Sequence, residues 1–185
     1  MKSSKILFTT ALLAEAMPVI ERYNLKITEK KPFKIYKNSD ISLIISGIGK
    51  INSAVATTFL AKEFQNSPIL VNIGICSSKQ KEKLYKLYPV KSVTDFATSK
   101  KFMLKNRGES LLTVDKEVSK GFENLPCSLI DMESSGFFLA ARVFTDIENI
   151  KIFKVVSDHL DSTTPSYEFV YKLIKENMEK IEEMI

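Results

Sequence analysis

Two short segments carry the residues best suited to chemistry. Leu129-Ile130-Asp131-Met132-Glu133-Ser134-Ser135 ends an apolar extended run on a carboxylate and then turns helical. Lys154-Val155-Val156-Ser157-Asp158-His159 does the same just past a buried-looking strand. A third acid, Glu15, opens a helix directly after the first apolar run, Ile6-Leu7-Phe8. Taken singly, each acid has a plain structural role available. A helix-start carboxylate interacts with the helix dipole for ~0.3–1 kcal/mol, and Asp158 begins a turn-like run to Thr164. Together they occupy the positions where an open α/β sheet binds ligands, the crevice at the carboxyl ends of its strands. An acid with a raised pKa beside an ionised one is the usual arrangement for acid/base work at neutral pH.

The elements that must position these acids follow from periodicity and turn signals. Lys5 to Thr10 reads as a short buried strand, followed by a helix over Ala14 to Tyr23 in which Pro18 is tolerable only in the first turn. Phe33 to Tyr36 and Ile41 to Ile45 flank Lys37-Asn38-Ser39-Asp40 as a hairpin. Ser46-Gly47-Ile48-Gly49-Lys50 then opens a helix from about Ile51 to Phe64. Its glycines let backbone N–H groups approach a ligand or simply make a tight turn. It is neither a P-loop nor a dinucleotide fingerprint. Ile69 to Ile73 is a strand ending at Gly74, and residues 79–83 form a charged connector. Leu84 to Val93 is extended, with Pro89 marking an edge or break. Phe96 to Gly108 reads as loop. Ser110 to Val114 and Ser128 to Met132 are strands, Glu133 to Phe144 a helix, and Ile152 to Val156 a strand. The last helix starts near Pro165 with Thr164 as N-cap, and Val170, Leu173, Ile174, Ile181 and Met184 form its apolar stripe. This order predicts a single domain over 1–185, a three-layer α/β/α fold whose central sheet is mixed and partly curled.

Bulk properties narrow the function classes. The 185 residues are 44% hydrophobic and 26% charged, ordinary globular values. The net charge of +5 comes from scattered lysines, with no basic stripe suited to nucleic acid. One histidine, His159, and two cysteines, Cys76 and Cys127, have no metal-type spacing. Apolar stretches are too short for a membrane span. The start of the chain lacks the shape of a signal peptide, so a cytoplasmic protein is expected.

In order along the chain, Ala11 to Glu15, Ser46-Gly47-Ile48-Gly49-Lys50, Asn72-Ile73-Gly74, Asp131-Met132-Glu133 and Ser157-Asp158 make the sequence resemble the purine nucleoside phosphorylase/nucleosidase superfamily. The closest chemistry is that of methylthioadenosine/S-adenosylhomocysteine nucleosidases. The resemblance implies hydrolysis of a purine (thio)nucleoside to free base and (thio)ribose, with no metal and no organic cofactor. Asp158 would protonate or hydrogen-bond N7 of the base. Glu15 would orient or deprotonate the attacking water. Glu133 would hold the ribose hydroxyls, Met132 would pack on the ribose and Ser157 would support Asp158. Gly74 and Gly47 would approach the substrate through their backbones, with Val114 and Asp115 near the base. A homodimer or higher homo-oligomer is also implied.

The enzymatic alternative is a phosphorylase. It needs cationic donors around phosphate, and this chain has only Arg22, Arg107 and Arg142, with Asn72 where many phosphorylases place arginine. A nucleoside-binding homologue without turnover is the other alternative. It is motivated by Ile75-Cys76-Ser77-Ser78, where the family has a Gly-rich stretch, and by shortening between 75 and 110.

Overall fold

Alternating side chains sort the central strands between two helical layers. In β1 (Ile6–Thr10), β4 (Ile41–Ile45) and β5 (Ile69–Ser78), Leu7, Ile44 and Leu70 face one layer, while Phe8, Leu43 and Val71 face the other. The first layer is α2 (Lys50–Ala61) and α3 (Ser134–Ala141), which contribute Ala56, Leu60, Phe137 and Phe138. The second is α1 (Leu13–Arg22), α4 (Tyr167–Lys175) and α5 (Met178–Met184), which contribute Val19, Ile20, Leu173, Ile174 and Ile181. Period-two burial of this kind is what a sheet covered on both faces requires. The computed structural model describes residues 5–64, 67–80, 83–118, 127–160 and 164–185.

The remaining strands are β2 (Lys26–Glu29), β3 (Lys34–Lys37), β6 (Leu87–Asp95), β7 (Lys101–Met103), β8 (Glu109–Thr113), β9 (Leu129–Asp131) and β10 (Ile150–Asp158). β1 lies parallel between β4 and β5, and the β3–β4 and β2–β3 hairpins extend the sheet outward. On the other side the sheet curls until it closes. β5 pairs with both β10 and β9, β10 pairs with β6, and β6 reaches β9 through β8. The expected mixed, partly curled sheet is thus a flat wing joined to a closed ring. Among the described residues no helix is long and apolar enough to cross a membrane.

Several expected boundaries move. β5 runs through Gly74 to Ser78, because its second half pairs with β9 and β10. Pro89 lies inside β6, where the pairing changes from β10 to β8. The 96–108 loop contains β7, whose Phe102 stacks on Phe138 at 5.1 Å; three residues are too few to show alternation. β2, an exposed edge strand, has no apolar face to announce it. Pro18 is the sixth residue of α1, beyond the first turn, and removes one donor from the helix ladder. Ser166, not Thr164, caps α4, its Oγ accepting from Phe169 N at 3.2 Å. The last helix breaks near Asn177, whose Nδ2 donates to the Leu173 carbonyl at 2.8 Å and competes with the helical ladder. Positions 81–82 of the charged connector and 161–163 of the turn-like run lie outside the described residues.

Candidate active site

The carboxyl ends of β1, β5, β8, β9 and β10 border a cavity of about 390 Å³, lined by all three acids singled out in the sequence. That volume suits a small-molecule ligand. Ser157, Met132 and Val114 also line it.

Glu15 is buried just inside the start of α1. Its Oε2 accepts from the backbone N of Ala11 and Leu12, each at 2.9 Å, and its Oε1 from Ile75 N at 2.9 Å. An ionised carboxylate has about four acceptor sites, so one on Oε1 stays open. Burial pushes the Glu15 carboxyl above its ordinary range, against the opposing pull of Lys154 and the backbone N–H groups. Gly74 does not line the cavity; it makes room behind it. A Cβ there would lie 2.9 Å from Glu15 Oε1 and 3.2 Å from Lys154 Nζ.

Glu133 is the N-cap residue of α3. Its Oε1 accepts from Gly49 N at 2.9 Å. Gly49 and Gly47 have φ of +106° and +82°, conformations that side chains disfavour, and this turn aims the Gly49 N–H at the carboxylate. Gly47 itself donates its N–H to the Ala11 carbonyl at 3.1 Å, and its neighbour Ile48 lines the cavity. Burial, then the nearby charge of Asp131, pushes Glu133 up to about 7.

Asp158 reaches the cavity through a bulge in β10. Val156 pairs with Cys76 and Asp158 with Ser77, leaving Ser157 as an extra residue. Asp158 Oδ1 accepts from Leu160 N at 3.0 Å and Oδ2 from Ser157 Oγ at 2.7 Å. The Ser157 hydroxyl also reaches the Cys76 carbonyl at 3.3 Å. If its proton turns to that carbonyl, Ser157 Oγ becomes an acceptor for a proton on Asp158, so it can serve both protonation states. His159 anchors the turn, with Nδ1 2.6 Å from the Ser78 carbonyl.

Sequence reasoning gave no role to Lys154. It is 1% exposed, and its Nζ lies 2.9 Å from Asp131 Oδ2. Burial alone would lower its pKa, but the charges of Asp131, Glu133 and Glu15 more than offset this and keep it cationic. The signal was present: a lysine inside Ile152-Phe153-Lys154-Val155-Val156 can be buried only beside a carboxylate. Asp131, the last residue of β9, is the other half of this pair. It also accepts from Thr113 Oγ1 at 2.8 Å and from Ser134 N at 2.9 Å, anchoring α3 beneath Glu133.

The cavity wall carries Glu15, Glu117, Asp131, Glu133 and Asp158, and among the described residues no basic side chain lines it. Asn72 is buried and occupied within the fold, donating to the Thr9 carbonyl at 3.0 Å. Among the described residues no group of three or more His, Cys, Asp or Glu is placed to hold a metal ion.

The chain shares its α/β fold with solved structures of nucleosidases and of a futalosine hydrolase. Among similar solved structures is a 5′-methylthioadenosine/S-adenosylhomocysteine nucleosidase from Helicobacter pylori, with a TM-score of 0.80 at 17% identity over 98% of this chain and 97% of that one. The 5′-methylthioadenosine nucleosidase of Arabidopsis thaliana matches with a TM-score of 0.79 at 16% identity, covering 98% and 95%. The futalosine hydrolase of Helicobacter pylori matches with a TM-score of 0.78 at 17% identity, covering 98% and 97%. No family model matches the sequence, and no curated protein does.

Proposed function

We propose that this single domain is an N-ribosyl hydrolase that cleaves a purine nucleoside or thionucleoside into free base and sugar. The observation that carries this is the convergence of Glu15, Glu133 and Asp158 on one cavity, each held by hydrogen bonds that leave it usable. The purine sits against Asp158 with Val114 nearby, and the ribose lies between Met132 and Glu133. Asp158 donates a proton to N7 as the C1′–N9 bond breaks, so the base departs neutral. Glu133 accepts from the ribose hydroxyls and stabilises the cationic sugar. Glu15 takes a proton from water as its oxygen bonds to C1′. General acid catalysis of this kind contributes ~10²–10⁴-fold. Lys154 stands behind Glu15 and Glu133 and limits the build-up of negative charge.

Water is favoured over phosphate as nucleophile. Phosphate would meet a wall of carboxylates, and Arg22, Arg107 and Arg142 all lie away from that wall. Similarity to nucleosidases and a futalosine hydrolase adds support, as does a similar nucleosidase from Colwellia psychrerythraea in complex with adenine.

The chain is further proposed to form a homodimer. Ile51 on α2 and Val143, two residues past the end of α3, are 74% and 73% exposed, and Val55 on α2 and Leu139 on α3 are exposed apolar residues beside them in sequence. Ile48, shortly before α2, lines the cavity.

The deciding experiment incubates the protein with methylthioadenosine, S-adenosylhomocysteine, adenosine and inosine, with and without phosphate. Base release without phosphate is expected, and Asp158→Asn should lower kcat by ~10²–10⁴-fold. Release only with phosphate would make it a phosphorylase. Nucleoside binding without release would make it a silent homologue.

A further inference from the structure

Beyond the three acids, the strongest cluster joins Lys50 to Asp95 and Asp115. Lys50 is the first residue of α2, directly after the glycine turn. Its Nζ lies 2.8 Å from Asp95 Oδ2 and 3.0 Å from Asp115 Oδ1. Asp95 ends β6 and is buried, while Asp115 follows β8 and is half exposed. Asp95 Oδ2 also accepts from Ser135 Oγ at 3.0 Å, and its Oδ1 from the N and Oγ1 of Thr98 at 2.9 and 2.8 Å. Ser135 lies in the first turn of α3, so one buried oxygen fastens the starts of two helices. At Gly136 a Cβ would fall 1.8 Å from the Lys50 carbonyl oxygen, so the two helices meet backbone to backbone there.

Lys50 and its partner Asp115 each adjoin a residue that reaches the cavity. Gly49, one residue earlier, donates its N–H to Glu133. Asp115 sits between Val114 and Glu117, both in the cavity wall. Lys50 itself is outside that wall. We propose that Lys50 is a positioning residue: shared by Asp95 and Asp115, its ammonium fixes the Glu133 carboxylate through the Gly49 N–H and holds segment 114–118 against the bound nucleoside. This rests on the nucleosidase activity proposed above. Its weight comes from geometry, since displacing a catalytic group by about 1 Å can cost on the order of 10²-fold in rate. Methionine at 50 removes the charge and keeps the volume. Asp95 would retain Thr98 and Ser135, so the variant should fold.

The test compares wild type with Lys50→Met, Lys50→Arg and Asp115→Asn. Lys37→Met, which loses pairs to Glu29 and Glu63 on the hairpin wing, sets the baseline for losing an ion pair remote from the cavity. Base-release kinetics and amide hydrogen exchange are read on each. Lys50→Met is expected to lower kcat/KM by about 10–100-fold through both parameters. Asp115→Asn, which loosens only segment 114–118, should raise KM and leave kcat within about twofold. Lys50→Arg should recover most of the loss. Exchange at Gly49 and over 114–118 should rise in Lys50→Met and not in Lys37→Met. A Lys50→Met enzyme within about twofold of wild type in kcat/KM would overturn the proposal. If wild type releases no base, the proposed activity fails instead, and exchange alone decides the positioning: lost protection at Gly49 and 114–118 supports it, and retained protection overturns it.

Discussion

Lys154 and Lys50 each join carboxylates delivered by different strands, and both stand just behind the cavity wall. Their surroundings differ. Lys154 is 1% exposed and is shared among Asp131, Glu133 and Glu15. Lys50 is 20% exposed and meets two carboxylates, one of them half in water. In the buried cluster the loss of water pushes both glutamates up, and at Glu133 the nearby charge of Asp131 adds to the effect of burial. At the rim, Asp95 goes the other way. Burial works against it, but the Lys50, Thr98 and Ser135 hydrogen bonds hold it at about 2. A crowded, dry cluster makes groups that exchange protons, and a satisfied one at the solvent boundary makes a fixed strut.

The sharpest way to break this comparison is Lys154→Met. It leaves Asp131 buried without its cation and should cost about 3–5 kcal/mol by denaturant titration. Lys50→Met should lose about 1–2 kcal/mol, and equal losses would abolish the distinction between the clusters. The next effect is a pH dependence of stability. The folded state keeps the Glu133 proton between 4.5 and about 7, where the unfolded chain has released it. Stability from this group is therefore full below 4.5 and falls as pH rises through about 7. The displacement corresponds to at most ~3 kcal/mol, and Glu133→Gln should flatten that part of the melting-temperature profile. Asp95 has the opposite sign and the smallest effect. Its contribution is present above 3.8 and is lost as pH falls through about 2. It should amount to about 1–2 kcal/mol after screening by water at the Asp115 side, seen as a shallower acid limb in Asp95→Asn.

The flat wing of the fold was largely legible in the sequence, and the closed ring much less so. β1, the β3–β4 hairpin and α2 come from local signals: apolar alternation, a polar four-residue turn and a glycine turn before a helix. β2 and β7 escaped because neither short strand has an apolar face of its own. The length of β5 and the role of Pro89 depend on partners far along the chain, which no local window contains. The site divides the same way. Glu15, Glu133 and Asp158 each follow an apolar run, and strand ends in an α/β sheet share an edge. The roles of Lys154 and Asp131 are not legible locally, because their partnership needs β10 and β9 to meet across the ring.

By itself, then, the sequence determined the strand and helix order, the glycine turn and the delivery of acids to strand ends. These rest on steric and hydrophobic preferences acting over a few residues. Only the tertiary structure decided that β5, β6, β8, β9 and β10 close on themselves, that Lys154 meets Asp131, and that Glu133 is pushed up while Asp95 is pushed down. Proton affinity depends on how much water is removed and which charges remain nearby, and both are sums over residues that only folding brings together.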